Sequence, residues 1–316
     1  MKRFLSFLVL LSLVVMSVAS CKPANTDNKE KEYSLGIGVA MAFDDESAKV
    51  SSTVAAVVTD KDGKIVLCRI DAIDSQAKLT ADGEPNTAAP TSKYELGDKY
   101  NMVTYGNAIA EWYKQAEFFE TYVEGKTLAD VKAIALGENG KPTGTDLAAG
   151  CTIAVTDFVK AIENAISSEH RLTFAAKGEL TASVSVNADI KADKETLVYK
   201  TTFDFAAVVS EGATVVGALV DSAETTLTCE KDDNNKVTAT AHTYVGTKLE
   251  QGDDYNMVTY GGAIAEWYAQ ATAFAKTAIG KEADKLDTLP TENITGCTIG
   301  VTTYKAALVK AGKAVR

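Results

Sequence analysis

Apolar and polar positions along the chain fall into two matching series. In the first, β-rich apolar runs stand at "LGIGVAMAF" (35–43), "TVAAVVTD" (53–60) and "IVLCRIDAI" (65–73). Between the last two, "KDGK" (61–64) puts Asp-Gly at the centre of a hairpin turn. The period then changes. Ile109, Trp112, Tyr113, Ala116 and Phe119 fall on one helical face and form an apolar stripe suited to packing on a sheet. In the second series "LTASVSVNADI", "TLVYKTTFDFAAVV" and "ATVVGALVDSA" take the strand roles, and Ile264, Trp267 and Tyr268 open the stripe. Each series closes with a further helical segment, "DFVKAIENAI" or "TYKAALVKA", where Thr156 and Thr302 are placed to act as caps. Strands first and helices on one face predict an α+β domain, made twice.

The duplication is legible residue by residue. "KYELGDKYNMVTYGNAIAEWYKQ" (93–115) returns as "KLEQGDDYNMVTYGGAIAEWYAQ" (248–270) at an offset of 155. "GCTIAVTDF" returns as "GCTIGVTTY" at an offset of 146, so the intervening segment is nine residues shorter in the second copy and reads as loop or short helix. Upstream, "AAVVTDKDGKIVLCRIDAID" matches "AAVVSEGATVVGALVDSAET" more faintly. The predicted organisation is two tandem homologous domains, 33–168 and 169–316, each a small antiparallel sheet packed with helices on one face.

The N-terminus belongs to neither domain. Lys2 and Arg3 precede an apolar run from Phe4 to about Val18 and then small residues, the pattern of a secretory signal peptide over 1–20. "VASC" (18–21) resembles the lipobox of bacterial lipoproteins, which implies cleavage before Cys21 and lipidation (palmitate among the acyl groups) of its thiol. Residues 21–32 then form a lipid anchor and a flexible polar tether, and the chain is expected on the extracytoplasmic face of a bacterial cell membrane.

Charge and composition exclude several classes. The net charge is −11, and it becomes −13 once Lys2 and Arg3 leave with the signal peptide. Such a surface repels phosphate backbones, so nucleic acid is not an expected partner. An apolar content of 46% is that of folded domains. His170 and His242 are the only histidines and lack ligand-like spacing, which argues against a metal site or a histidine-based triad. Besides Cys21 there are Cys68, Cys151, Cys229 and Cys297, which permit three disulfide connectivities.

The repeated "DLAAGCT" (146–152) and "ENITGCT" (292–298) resemble the flavin-acceptor segment of the FMN-binding domain family. That family includes the flavin-carrying subunits of sodium-pumping NADH:quinone reductases, Rnf complexes and many bacterial lipoproteins. The resemblance implies that a flavin transferase joins FMN to Thr152 and Thr298, with Gly150 and Gly296 in the glycine position and Asp146 and Glu292 in the acidic position. Cys151 and Cys297 stand where the family prefers Ala, Ala149 replaces a Ser/Thr, and Leu147 and Asn293 replace a Gly. Gly lets a phosphate or an enzyme approach the backbone, and a helix start downstream offers N–H groups to phosphate oxygens. Tyr105 and Tyr260, with Tyr100 and Tyr255, either line a flavin pocket or form a packing joint. Trp112 and Trp267 read as core, and Glu111 and Glu266 as exposed acids in the first helical turn. The expected function is a membrane-anchored electron carrier that exchanges electrons with a membrane redox partner. The alternative is a surface lipoprotein that binds a ligand other than flavin at the joint of its two halves.

Overall fold

The computed structural model describes residues 29–314; Cys21 and the segment expected to be a signal peptide lie outside them. Strands β1 (Lys31–Asp44), β2 (Lys49–Asp60) and β3 (Ile65–Gln76) come first. Helices α1 (Lys93–Leu96), α2 (Met102–Gly106), α3 (Trp112–Val123), α4 (Leu128–Lys132), α5 (Thr145–Ala148) and α6 (Thr156–Ser167) follow. The second half runs β4 (Leu172–Ala176), β5 (Leu180–Asp193), β6 (Val198–Glu211), β7 (Thr214–Lys231) and β8 (Val237–Thr243). It ends with α7 (Lys248–Gln251), α8 (Met257–Gly261), α9 (Trp267–Ala275) and α10 (Thr302–Lys313). The strands form two four-stranded antiparallel sheets, β3-β2-β1-β4 and β5-β6-β7-β8.

The "DGK" turn forms for the reason its residues suggest. Gly63 has φ +75°, and Asp60 Oδ1 accepts the N–H groups of Asp62 and Lys64, both at 2.9 Å. β4 and β8 are edge strands with weak apolar signals. β4 crosses back to pair with β1 in the first sheet (Tyr33 opposite Phe174), although it lies beyond residue 169. β8 extends the second sheet from β7 instead.

The central strands are buried almost without interruption, from Ser52 to Thr59 in β2 and from Phe203 to Ser210 in β6, so both of their faces are covered. On one face of the first sheet, Cys68, Ile70 and Ala72 meet Trp112, Phe119, Phe158 and Ile162 of α3 and α6. Its other face shares one continuous core with the second sheet, joining Leu35, Val54 and Ile73 to Val186, Phe205 and Val208. Burial of a side chain such as Phe119 contributes about 1.5–3 kcal/mol. Across the joint the Ser75 and Thr201 hydroxyls lie 2.9 Å apart, and Tyr199 donates to the Lys78 carbonyl at 2.9 Å.

Small residues set how closely the closing helices approach. A Cβ on Gly36 would stand 1.9 Å from the Ala165 carbonyl oxygen of α6. Gly36 pairs with Val57, and its counterpart Ser183 pairs with Val208. In the second half the hydroxyls of Ser183 and Ser185 use that space, donating to the carbonyls of Ala311 and Ala307 on α10 at 2.6 and 2.8 Å.

Three local expectations are corrected. The predicted stripe began at Ile109 and Ile264, but these are 58% and 63% exposed, and the helices start at Trp112 and Trp267. Glu111 and Glu266 occupy the N-cap positions with extended backbone, so the residues before them leave the helix. Thr156 and Thr302 do not cap α6 and α10; Val155 and Val301 hold the cap positions, with no side-chain capping bond.

Candidate functional site

The region that carries both repeated motifs is built from α1 to α3 in the first half and α7 to α9 in the second. A capping box starts α1 and α7: Ser92 with Glu95, and Thr247 with Glu250. Beneath each box a buried aspartate of the sheet takes the next backbone donor. Asp71 Oδ1 accepts from Tyr94 N at 3.0 Å, and Asp221 Oδ1 accepts from Leu249 N at 3.0 Å. The short helices α2 and α8 are fixed by a carboxylate from the following helix. Glu111 accepts the N–H groups of Met102 and Val103 at 2.9 and 3.1 Å, and Glu266 those of Met257 and Val258 at 2.8 and 3.1 Å. Glu111 is therefore a buried anchor rather than an exposed helix acid. The loop so held leaves Tyr105 and Tyr260 in solvent, 84% and 86% exposed.

One turn further on, Gln115 is wholly buried and joins three segments. Its amide donates to the Ala110 carbonyl at 2.7 Å, and its oxygen accepts the N–H of Thr152 at 2.8 Å and the Thr152 hydroxyl at 3.1 Å. Gln270 repeats this with Ala265 at 2.7 Å and with Thr298 at 2.8 and 3.0 Å. The acceptor-position threonines are thus oriented by glutamine. Only the survival of Gln115 and Gln270 in both copies of the repeat marked them in the sequence.

The remaining predicted site residues divide. Asp146 and Glu292 are exposed. The side-chain partner of Asp146 is its neighbour Thr145, at 3.5 Å, and the hydroxyls of Thr152 and Thr298 donate to the glutamines, not to these acids. Cys151 is buried, and burial pushes its thiol up to about 11, so it is a neutral packing group. Burial raises Cys297 too. No disulfide joins cysteines among the described residues; Cys68, Cys151, Cys229 and Cys297 are all buried. Trp112 and Trp267 are core, in edge contact with Phe158 and Tyr304 at 5.7 and 5.6 Å.

The two copies differ in access. Beside Gly150 the ring of Phe118 lies 2.3 Å from where a Cβ would be, and Thr152 is half-buried. Beside Gly296 the counterpart of Phe118 is Ala273, at 3.5 Å, and Thr298 is exposed. His170 stacks on Tyr268 at 4.2 Å and His242 on Phe43 at 4.1 Å. Among the described residues no group of three His, Cys, Asp or Glu side chains is arranged to hold a metal ion, and no helix is long and apolar enough to cross a membrane.

The fold and this site define a duplicated α+β protein in which each half presents a glutamine-held Gly-Cys-Thr turn. Against known proteins, the chain is 28% identical to a chlorophenol reductase of Desulfitobacterium hafniense over a 135-residue alignment covering 35% of this chain. It spans only 41% of that protein's length. No protein-family model matches the chain, and no solved structure matches it significantly.

Proposed function

We propose that this protein is an extracytoplasmic, lipid-anchored electron carrier that holds FMN on Thr298 and, with more hindrance, on Thr152. The observation that carries the reading is the twice-made pairing of an acceptor-position threonine with a wholly buried glutamine. Gln270 fixes the backbone N–H and the hydroxyl of Thr298 together, leaving an exposed, oriented oxygen beside an open glycine. That arrangement fits a group attached through phosphate. Four residues on, Thr302 begins α10 without a side-chain cap, so its first N–H groups are available to phosphate oxygens. In the first copy Phe118 crowds the same approach. A bound flavin would supply the electron transfer, and the protein positioning and exclusion. Similarity to a protein named a reductase is in keeping with a redox setting. The anchor would be Cys21, and the partners a flavin transferase and a membrane redox protein.

The test is an intact mass of denatured protein made in an exporting host with an active flavin transferase. A gain of one or two FMN units, reduced by Thr298→Ala and abolished when Thr152→Ala is added, is the expected result. An unmodified mass overturns the reading.

A further inference from the structure

A cavity of about 490 Å³ opens between the two halves, within the size range of small-molecule sites. Gly38 and Asn164 of the first half line it, with His170, Asp221, Glu250 and Tyr268 of the second. Glu169, Asp253 and Asp254 bring the carboxylates on its wall to five. Among the described residues that line it there is no lysine or arginine. Asp221 is only 1% exposed, and burial pushes it up to about 7, with Glu250 adding like-charge repulsion. His170, stacked on Tyr268, is part of the same wall.

The duplication supplies an internal comparison. Asn164 of α6 and Lys310 of α10 occupy equivalent positions. Each donates to a strand carbonyl of its own half, Asn164 to Val39 at 2.7 Å and Lys310 to Val186 at 2.6 Å. Each then crosses to the capping-box glutamate of the other half, Asn164 to Glu250 at 2.9 Å and Lys310 to Glu95 at 2.5 Å. Asp71 is the counterpart of Asp221; burial raises both carboxyls, to about 6 and about 7, with the Lys310 charge moderating the first and Glu250 adding to the second. One joint therefore carries its own primary ammonium on the capping glutamate, its charge also acting on the buried aspartate. The other joint has the same two acids, a neutral amide in place of the ammonium, and an open cavity.

We propose that this cavity binds an organic primary ammonium ion, its nitrogen taking at Glu250, within the field of Asp221, the place that the Lys310 ammonium takes at Glu95. The space beyond the nitrogen accommodates an alkyl chain, and the stacked Tyr268 and His170 rings form part of its wall. A metal ion is the poorer occupant, because no three-ligand cluster exists among the described residues. The binding is independent of flavin attachment, so either reading can fail alone.

The experiment is calorimetric titration of the purified protein with 1,4-diaminobutane, and with 1,4-butanediol as the uncharged control. The wild type is expected to bind one diamine with a Kd in the millimolar range or tighter, about −4 kcal/mol or more favourable, and to ignore the diol. Asn164→Lys, which places the chain's own ammonium in the cavity, should weaken binding at least about tenfold, equivalent to 1.4 kcal/mol. Lys310→Asn should open the other joint and add a second equivalent of diamine. No saturable binding by the wild type, or equal binding by wild type and Asn164→Lys, overturns the proposal; the latter means a general attraction to the acidic surface. Should Asn164→Lys not fold, Asp221→Asn decides: lost binding supports the site and retained binding overturns it.

Discussion

The side-chain oxygen of Gln115 accepts both donors of Thr152, the backbone N–H at 2.8 Å and the hydroxyl at 3.1 Å, while its amide holds Ala110. Gln115 is wholly buried, so its loss leaves polar groups without water to replace it. Gln115→Leu and Gln270→Leu should each lower unfolding free energy by about 1–3 kcal/mol. Urea denaturation measures this, and a change within error in both variants would show that the glutamines are not structural anchors.

The carboxylates of Glu111 and Glu266 act on the loop more than on the core. Glu111→Gln puts an amide donor where the loop N–H groups of Met102 and Val103 need acceptors. Hydrogen exchange at Val103 should accelerate at least about tenfold, the equivalent of 1.4 kcal/mol of local opening, with little change in strand amides. Uniform acceleration across the strands would instead place Glu111 in the global core.

Gly36 marks where α6 presses on β1. Gly36→Ala directs a methyl group at the Ala165 backbone, which cannot yield without moving the helix. The expected cost is about 3 kcal/mol or more, measured as the shift in urea midpoint at constant slope. Ser183→Gly at the equivalent place should cost only about 1 kcal/mol, one hydrogen bond to Ala311.

Asp221 gives stability a pH dependence of definite sign. Burial raises its pKa to about 7 in the folded protein from 3.8, so the folded state holds the proton more tightly than the unfolded one. The folded state therefore binds more protons between those values, and the Asp221 contribution to stability decreases as pH rises through the interval. Asp221→Asn keeps an acceptor for Leu249 N and removes the titration. The variant should gain on the wild type progressively from pH 4 to pH 8, by an amount on the order of a few kcal/mol. A constant difference across that range, read from thermal or urea melts, would refute the assignment.

Gly150 and Phe118 make a coupled pair. Gly150→Ala should destabilise because the new Cβ meets the Phe118 ring, and Phe118→Ala should relieve it, since that ring is 40% exposed and Ala273 already occupies the equivalent place. A double-mutant cycle should show a favourable coupling of about 0.5–3 kcal/mol. Additive effects would separate the two residues.

The chain itself determined the class of fold and its repetition. The six long strands, the hairpin at Asp60–Lys64 and the helices on Trp112, Phe158 and Trp267 follow from apolar runs, turn chemistry and helical periodicity, all of which are local. The edge strands β4 and β8 carried little signal, because a half-exposed edge needs few apolar residues and its partner is chosen by the sheet. Ile109 and Glu111 misled for a related reason. Spacing counts them into the helix, but a carboxylate that satisfies Met102 and Val103 sits at its cap and turns the preceding residues to solvent. The repeated Thr152 and Thr298 were visible as a motif, whereas their glutamine partners lie 37 and 28 residues away in the chain. Tertiary structure alone decided that Asn164 and Lys310 reach across to opposite halves. That crossing depends on how two sheets pack, a relation between segments more than 80 residues apart that local pattern does not encode.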